Sequence, residues 1–133
     1  MKTRYFIFAL LASFPSFGQA QEPSLSEIIE KRGIVLEQIV AAVEKSVQSG
    51  TGDTNEIYQA RISLLTFRRE AAPDAKTKIE WQHKIIDLEK QTKIEAEKGA
   101  ASGLANPVIA LRAEERVLAA RQKLLELESS AGG

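Results

Sequence analysis

The amino-acid sequence predicts an all-α fold, in which two tandem helical hairpins form a four-helix bundle or an extended coiled coil. Three observations support this prediction. Helix-favouring residues dominate the composition, apolar side chains recur at three- and four-residue spacing, and capping residues, glycines and prolines occur mainly between these stretches. With 133 residues, the chain has the length of one domain.

The first 20 residues have the pattern of a cleaved secretory signal. Lys2 and Arg4 precede an apolar run over residues 5–12, and Gly18 and Ala20 supply the small residues of a cleavage site. The apolar run is much shorter than the about 20 residues that a helix needs to cross a bilayer. We therefore expect cleavage after Ala20 and a periplasmic or secreted helical domain over residues 21–133, with no membrane span in the mature chain.

Charge and cysteine content narrow the range of function classes. The chain has 18 basic residues, 18 acidic residues and no cysteine. Basic and acidic residues are interleaved along the predicted helices, so we expect no nucleic-acid partner. The lack of cysteine excludes disulfides, thiolate metal sites and cysteine nucleophiles.

The first hairpin is predicted over about residues 24–72. Ser24 is followed three residues later by Glu27, which is the spacing of a capping box, and an apolar stripe continues to a glycine-containing turn at residues 49–52. Asp53 and Glu56 predict a second capping box, and Pro73 ends the second helix.

The second hairpin is predicted over about residues 74–129. Its first helix begins near Asp74 and has a polar second half, which we expect to be the least buried part of the fold. Its second helix begins with Asn106 as the cap and Pro107 in the first turn. Two apolar rows on this last helix predict two neighbours: Ala110, Ala113, Val117, Ala120, Leu124 and Leu127 form one row, and Leu111, Leu118 and Leu125 form the other.

An offset of 53 residues relates the two predicted hairpins and indicates an internal repeat. The matches concentrate on the turns and their flanks, where a duplicated hairpin would retain them, because a turn glycine has few substitutes. The matching residues include Ser49-Gly50 with Ser102-Gly103, Ala60 with Ala113, Leu65 with Leu118, and Arg68 with Arg121.

The second hairpin resembles the periplasmic helical hairpins of the TolC-type outer-membrane efflux family. The resemblance lies in residues 97–99 (Glu-Lys-Gly), in 102–104 (Ser-Gly-Leu) and in the alanine-rich stretches 109–114 and 118–121. The first hairpin is similar at 49–50, 57–61 and 64–65. It implies duplicated halves and long coiled-coil helices. The sequence has no alternating stretch long enough for a membrane strand, so the resemblance implies a small exported relative and not a channel, and it assigns no functional residue.

The predicted third helix contains the only histidine, His83, between Glu80 and Asp87 on one helical face. Di-iron bundles use a Glu-x-x-His of this spacing, but they need a second such motif and further carboxylates. Serines occur in predicted caps, turns and the tail, without a nearby histidine and acid. We therefore predict no metal, no cofactor and no catalytic residue.

The sequence thus predicts a non-enzymatic exported helical scaffold or accessory protein, which binds a protein partner or a second copy through apolar helix faces. A periplasmic chaperone is the alternative, and a metal-binding bundle based on Glu80, His83 and Asp87 is a third interpretation. The predicted contact residues are Leu111, Val117, Leu118, Leu124, Leu125 and Leu127.

Overall fold

The computed structural model describes Gly18 and residues 21–133. In this part of the chain there are four helices, and the predicted all-α fold is confirmed: α1 Leu25–Gln48, α2 Thr54–Ala71, α3 Ala75–Ala101 and α4 Pro107–Ala131. Apart from Gly18, the predicted signal lies outside the described residues. None of the described helices combines the length and the apolar character that crossing a bilayer requires.

Short polar side chains begin the helices, as the sequence predicts. Ser24 Oγ accepts a hydrogen bond from the Glu27 amide, and the Glu27 carboxylate accepts one from the Ser24 amide at 2.6 Å, which completes the predicted capping box. Asn106 caps α4 through the Val108 amide. The capping box predicted for α2 does not form. The Asp53 carboxylate caps the helix by accepting from the Asn55 amide instead of the Glu56 amide, and the Glu56 side chain makes no return bond to Asp53.

Asp74 caps α3 and makes the stability of the fold depend on pH. Its carboxylate accepts from the Thr77 amide at 2.7 Å and from the Thr77 hydroxyl at 2.9 Å. The backbone bond and then the hydroxyl bond lower the pKa of Asp74 below its ordinary value. A lowered pKa means that the cap stabilises the fold above the unfolded-state pKa of about 3.9 and loses this effect as the pH falls through the native pKa.

We therefore expect the difference in unfolding free energy between the wild type and Asp74→Ala to narrow as the pH falls below about 4. Denaturant titrations at a series of pH values measure this difference. The difference between Asp74→Asn and Asp74→Ala should stay constant over the same range, because neither replacement titrates. A constant difference between wild type and Asp74→Ala would contradict the assignment.

The four helices form a series in which each helix contacts its neighbours along the chain. Backbone contacts join α1 to α2, α2 to α3 and α3 to α4, and they join no other pair of the described helices. The most extensive of these contacts is between α3 and α4. Consequently α1 and α4 each have one helical neighbour, whereas α2 and α3 have two.

The core lies where α2, α3 and α4 meet. Ile85, Ile86 and Ala120 form a buried cluster, and Ile62 and Leu65 of α2 pack against it, as does Leu124 of α4. The prediction that the second half of α3 is the least buried part of the fold is wrong. Thr92 and Glu89 are buried there, whereas α1 has no buried residue. Glu89 is tolerated in this position because its carboxylate accepts a hydrogen bond from Arg116 Nε at 3.2 Å.

The turns of the two hairpins have the same geometry at an offset of 53 residues. Gly50 and Gly103 adopt φ values of +77° and +73°, in the left-handed region that glycine accepts without strain. The Thr51 amide donates to the Ser46 carbonyl at 3.0 Å, and the Leu104 amide donates to the Gly99 carbonyl at the same distance. Positions that differ by 53 residues are therefore structurally equivalent at both turns.

Candidate functional site

Helix α4 presents one apolar row to the core and a second row to the outside. In the first row, Ala113 and Val117 are buried against α3, whose contact with α4 is the largest in the fold. In the second row, Leu111, Leu118 and Leu125 are 65%, 57% and 63% exposed. We call these three leucines the α4 outer row.

The six contact residues predicted from the sequence therefore divide between the two faces. Leu111, Leu118 and Leu125 are exposed and accessible to a partner. Val117 is buried at 6% exposure, Leu124 packs against the core cluster, and Leu127 is half-buried. These last three residues face the chain's own interior, because α3 already covers the row on which they lie.

A groove between α3 and α4 borders the α4 outer row at Leu118. Ile94 contributes a 49% exposed apolar side chain to it. Lys93 Nζ lies 3.2 Å from the Glu97 carboxylate and 3.6 Å from that of Glu114. The hydrogen bond to Glu97, followed by the charge of Glu114, raises the pKa of Lys93. Charges of both signs thus border the apolar row, as at the rim of many protein interfaces.

Helix α1 has an outer row of its own, which consists of Ile28, Val35 and Ile39. These side chains are 42%, 43% and 44% exposed. We call them the α1 outer row. The α1 outer row is not among the contact residues predicted from the sequence. The seven- and four-residue spacing of Ile28, Val35 and Ile39, which places them on one helical face, was the signal that could have revealed it.

The opposite side of α1 packs against α2. Arg61 Nη2 lies 2.6 Å from the Glu44 carboxylate, and Arg68 Nη2 lies 2.8 Å from that of Glu37. Gly33 permits a close approach, since a Cβ atom there would lie 3.1 Å from the Phe67 ring. These contacts occupy the α2-facing side of α1 and leave its outer row to solvent.

Two smaller features complete the description of α1 and α3. The guanidinium group of Arg32 lies 5.3 Å from the centre of the Phe67 ring, at the boundary between α1 and α2. Trp81 is half-buried, and the charged groups of Arg68 and Lys84 lie over its ring at 5.4 Å and 4.3 Å. Trp81 therefore contributes to the α2–α3 contact within the chain.

The residues that suggested a metal site are exposed on α3. Glu80, His83 and Asp87 all have exposed side chains. In the described part of the chain, no three or more histidine, aspartate or glutamate residues are grouped so that they could hold a metal ion. The structure therefore does not bring this predicted set together into a site.

A recess of about 560 Å³ opens between the first turns of α2 and α4 and the last turns of α3. Its walls include Asp53, Glu95, Arg112 and Arg116. Arg116 is already paired with Glu89, and the charges of the lining residues are mixed. The recess thus has no dominant charge that would select one class of ligand.

No family model, curated protein or solved structure matches the chain. Its function must therefore be inferred from its own geometry. The two outer rows are the features of the described surface on which such an inference can rest, because each exposes three large apolar side chains in helical register.

Proposed function

We propose that this chain is a non-enzymatic, exported helical scaffold that acts by binding protein through the α1 and α4 outer rows. The exposure of six large apolar side chains in two helical rows carries this proposal. Contiguous exposed apolar surface on a folded protein marks interaction sites more often than scattered apolar residues do.

The energetics favour the use of both rows. Fully burying a leucine contributes about 1.5–3 kcal/mol, so covering the partly exposed α4 outer row contributes roughly 3–5 kcal/mol. Association costs at least about 4 kcal/mol in lost freedom of motion. One row alone would therefore support only a weak complex, and a stable assembly needs both rows or additional contacts.

Two sequence features support an address in the cell envelope. The predicted signal over residues 1–20 favours export, and the turn sequences resemble those of TolC-type efflux hairpins. An accessory role in an envelope assembly fits both features. In such a role the chain contributes helix surfaces and no chemistry.

Site-specific photo-crosslinking in living cells tests the proposal. A photoreactive residue in place of Val35 or Leu118 should give discrete crosslinked products. The same residue in place of Ile34 or Leu104, which are also exposed but lie outside both outer rows, should not. Equal crosslinking at all four positions, or at none of them, would refute a role for the outer rows.

A periplasmic chaperone is the second candidate, and the mixed charges around the α4 outer row favour it. Ion pairs such as those of Lys93 keep an exposed apolar surface hydrated and would allow reversible contact with unfolded clients. Suppression of client aggregation by the wild type, with loss of suppression in Leu118→Glu, would support this function. A scaffold should leave aggregation unchanged.

A further inference from the structure

We propose that the α4 outer row of one copy binds the α1 outer row of a second copy, head to tail. This contact would repeat between copies the contact that α2 and α3 make within one chain. The inference rests on the proposed scaffold function and names the partner as another copy of this chain.

The contact between α2 and α3 supplies the template. Ile62 and Leu65 of α2 pack against the cluster that includes Ile85 of α3. At one end, Arg69 Nη1 donates a hydrogen bond to Gln82 Oε1 at 2.6 Å. At the other end, Tyr58 and Thr92 line the same recess. Residues on one side of α2, from Tyr58 to Arg69, therefore meet residues on one side of α3 between Gln82 and Thr92.

The offset of 53 residues places the α4 outer row on the α3-facing side of α2. Leu111 and Leu118 correspond to Tyr58 and Leu65 of α2, and Leu125 corresponds to Ala72, the buried residue that caps the C-terminal end of α2. The other side of α4 corresponds equally well, because Ala113 and Val117 are buried against α3 and their counterparts Ala60 and Leu64 are buried in α2. The exposed leucines of α4 thus occupy positions whose counterparts in the first hairpin face α3.

The same offset places the α1 outer row on the α2-facing side of α3. Ile28, Val35 and Ile39 correspond to Trp81, Leu88 and Thr92. Trp81 meets α2 through Arg68, and Leu88 and Thr92 continue along that side at helical spacing. Helix α3, the counterpart of α1, has two helical neighbours, whereas α1 has one. Helix α2, the counterpart of α4, likewise has two, whereas α4 has one.

Charge complementarity supports the same pairing. Glu115 stands at the position of Ile62, and Arg32 stands at the position of Ile85. Both side chains are exposed in the single chain. In the proposed contact, the negative Glu115 and the positive Arg32 therefore take the places that Ile62 and Ile85 occupy in the α2–α3 contact.

A head-to-tail contact covers both outer rows with one kind of interface, whereas a two-fold contact between α4 helices leaves the α1 outer row exposed. A heterologous contact of this kind closes into a ring or extends into a filament, according to the rotation between successive copies. If one variant has a blocked α1 outer row and a second variant has a blocked α4 outer row, a mixture of the two has only one usable contact. Such a mixture can form a dimer but no larger assembly.

The decisive experiment compares Val35→Glu, Leu118→Glu and an equimolar mixture of the two by analytical ultracentrifugation of the processed chain. Wild type should form oligomers, each variant alone should sediment as a monomer, and the mixture should form a one-to-one dimer through its two intact rows. Ile34→Glu and Leu104→Glu are matched controls that should associate like the wild type. Ile34 corresponds to the exposed Asp87, outside the template contact. Circular dichroism verifies that each variant is folded.

A charge exchange gives an independent test. Arg32→Glu and Glu115→Arg should each weaken association at least about tenfold, and the double variant should recover most of the loss, because the pair is restored with reversed signs. Failure of the double variant to recover would argue against this register.

Two outcomes would overturn the head-to-tail contact. The first outcome is that the wild type stays monomeric at every concentration. The second is that Val35→Glu associates as strongly as the wild type while Leu118→Glu is monomeric, which would indicate a two-fold contact between α4 helices. If the wild type is monomeric but a photoreactive residue at position 118 still crosslinks to a different protein, the scaffold function stands and only the self-assembly fails.

Discussion

Replacing Gln82 with alanine should destabilise the fold by about 3 kcal/mol, an effect more typical of a buried apolar residue. Gln82 is 1% exposed. Its Oε1 accepts from Arg69 of α2, and its Nε2 donates to the Ala120 carbonyl of α4 at 2.7 Å. One amide group thus links three helices. The alanine variant loses both bonds and leaves a cavity, and it removes the acceptor of Arg69, whose side chain is only 15% exposed.

Urea denaturation of two further variants separates the causes of this loss. Gln82→Met fills much of the volume but cannot accept from Arg69, so we expect it to lose about 1–2 kcal/mol. Gln91→Ala, at an exposed position on the same helix, should change the unfolding free energy by less than about 0.5 kcal/mol. If Gln82→Met were as stable as the wild type, the hydrogen bonds of Gln82 would contribute nothing measurable.

Replacing Ile85 with alanine should cost a similar amount, about 3 kcal/mol, through loss of apolar burial alone. Ile85 is 4% exposed and belongs to the cluster against which α2 and α4 both pack. For a domain of this size, such a loss lowers the Tm by roughly 10–20 °C. Thermal unfolding followed by circular dichroism measures it. Ile94→Ala removes the same atoms from a 49% exposed site and is the matched control. Equal losses in the two variants would show that the cluster is not the core of the fold.

The sequence predicted where the helices begin because capping is a short-range effect. Ser24, Asp74 and Asn106 each accept a hydrogen bond from an amide two or three residues later. Such bonds depend on local residues only, so the sequence contains all the information they need. The return bond predicted from Glu56 did not form, because a residue pattern permits a capping box but does not require one.

Burial was harder to predict because it depends on which helices meet. The second half of α3 looked polar, yet Glu89 is buried because Arg116, 27 residues later, pairs with it. The burial of Gln82 was not predicted from the sequence for the same reason. Its partners Arg69 and Ala120 lie on two other helices. Apolar periodicity counts side chains along one helix and contains no information about such long-range pairs.

The candidate site was predicted in pattern but not in detail. The two apolar rows of α4 were evident from spacing, and the structure shows both. The sequence did not reveal which row α3 would cover, so Val117 and Leu124 were included among the contact residues although both face the interior. The α1 outer row was not predicted because the apolar residues of α1 were interpreted as one stripe, whereas α1 contacts α2 alone and leaves this row exposed.

The attachment of α1 has a consequence for how the molecule opens. Of the four helices described, α1 contributes nothing to the central cluster of Ile85, Ile86 and Ala120. Helix α1 is an arm in the sense that its release would break only its contacts with α2 and would leave the remaining three helices packed. Such an arm can open at a lower free energy than the whole fold, and two molecules can exchange arms without forming any contact that the single molecule lacks.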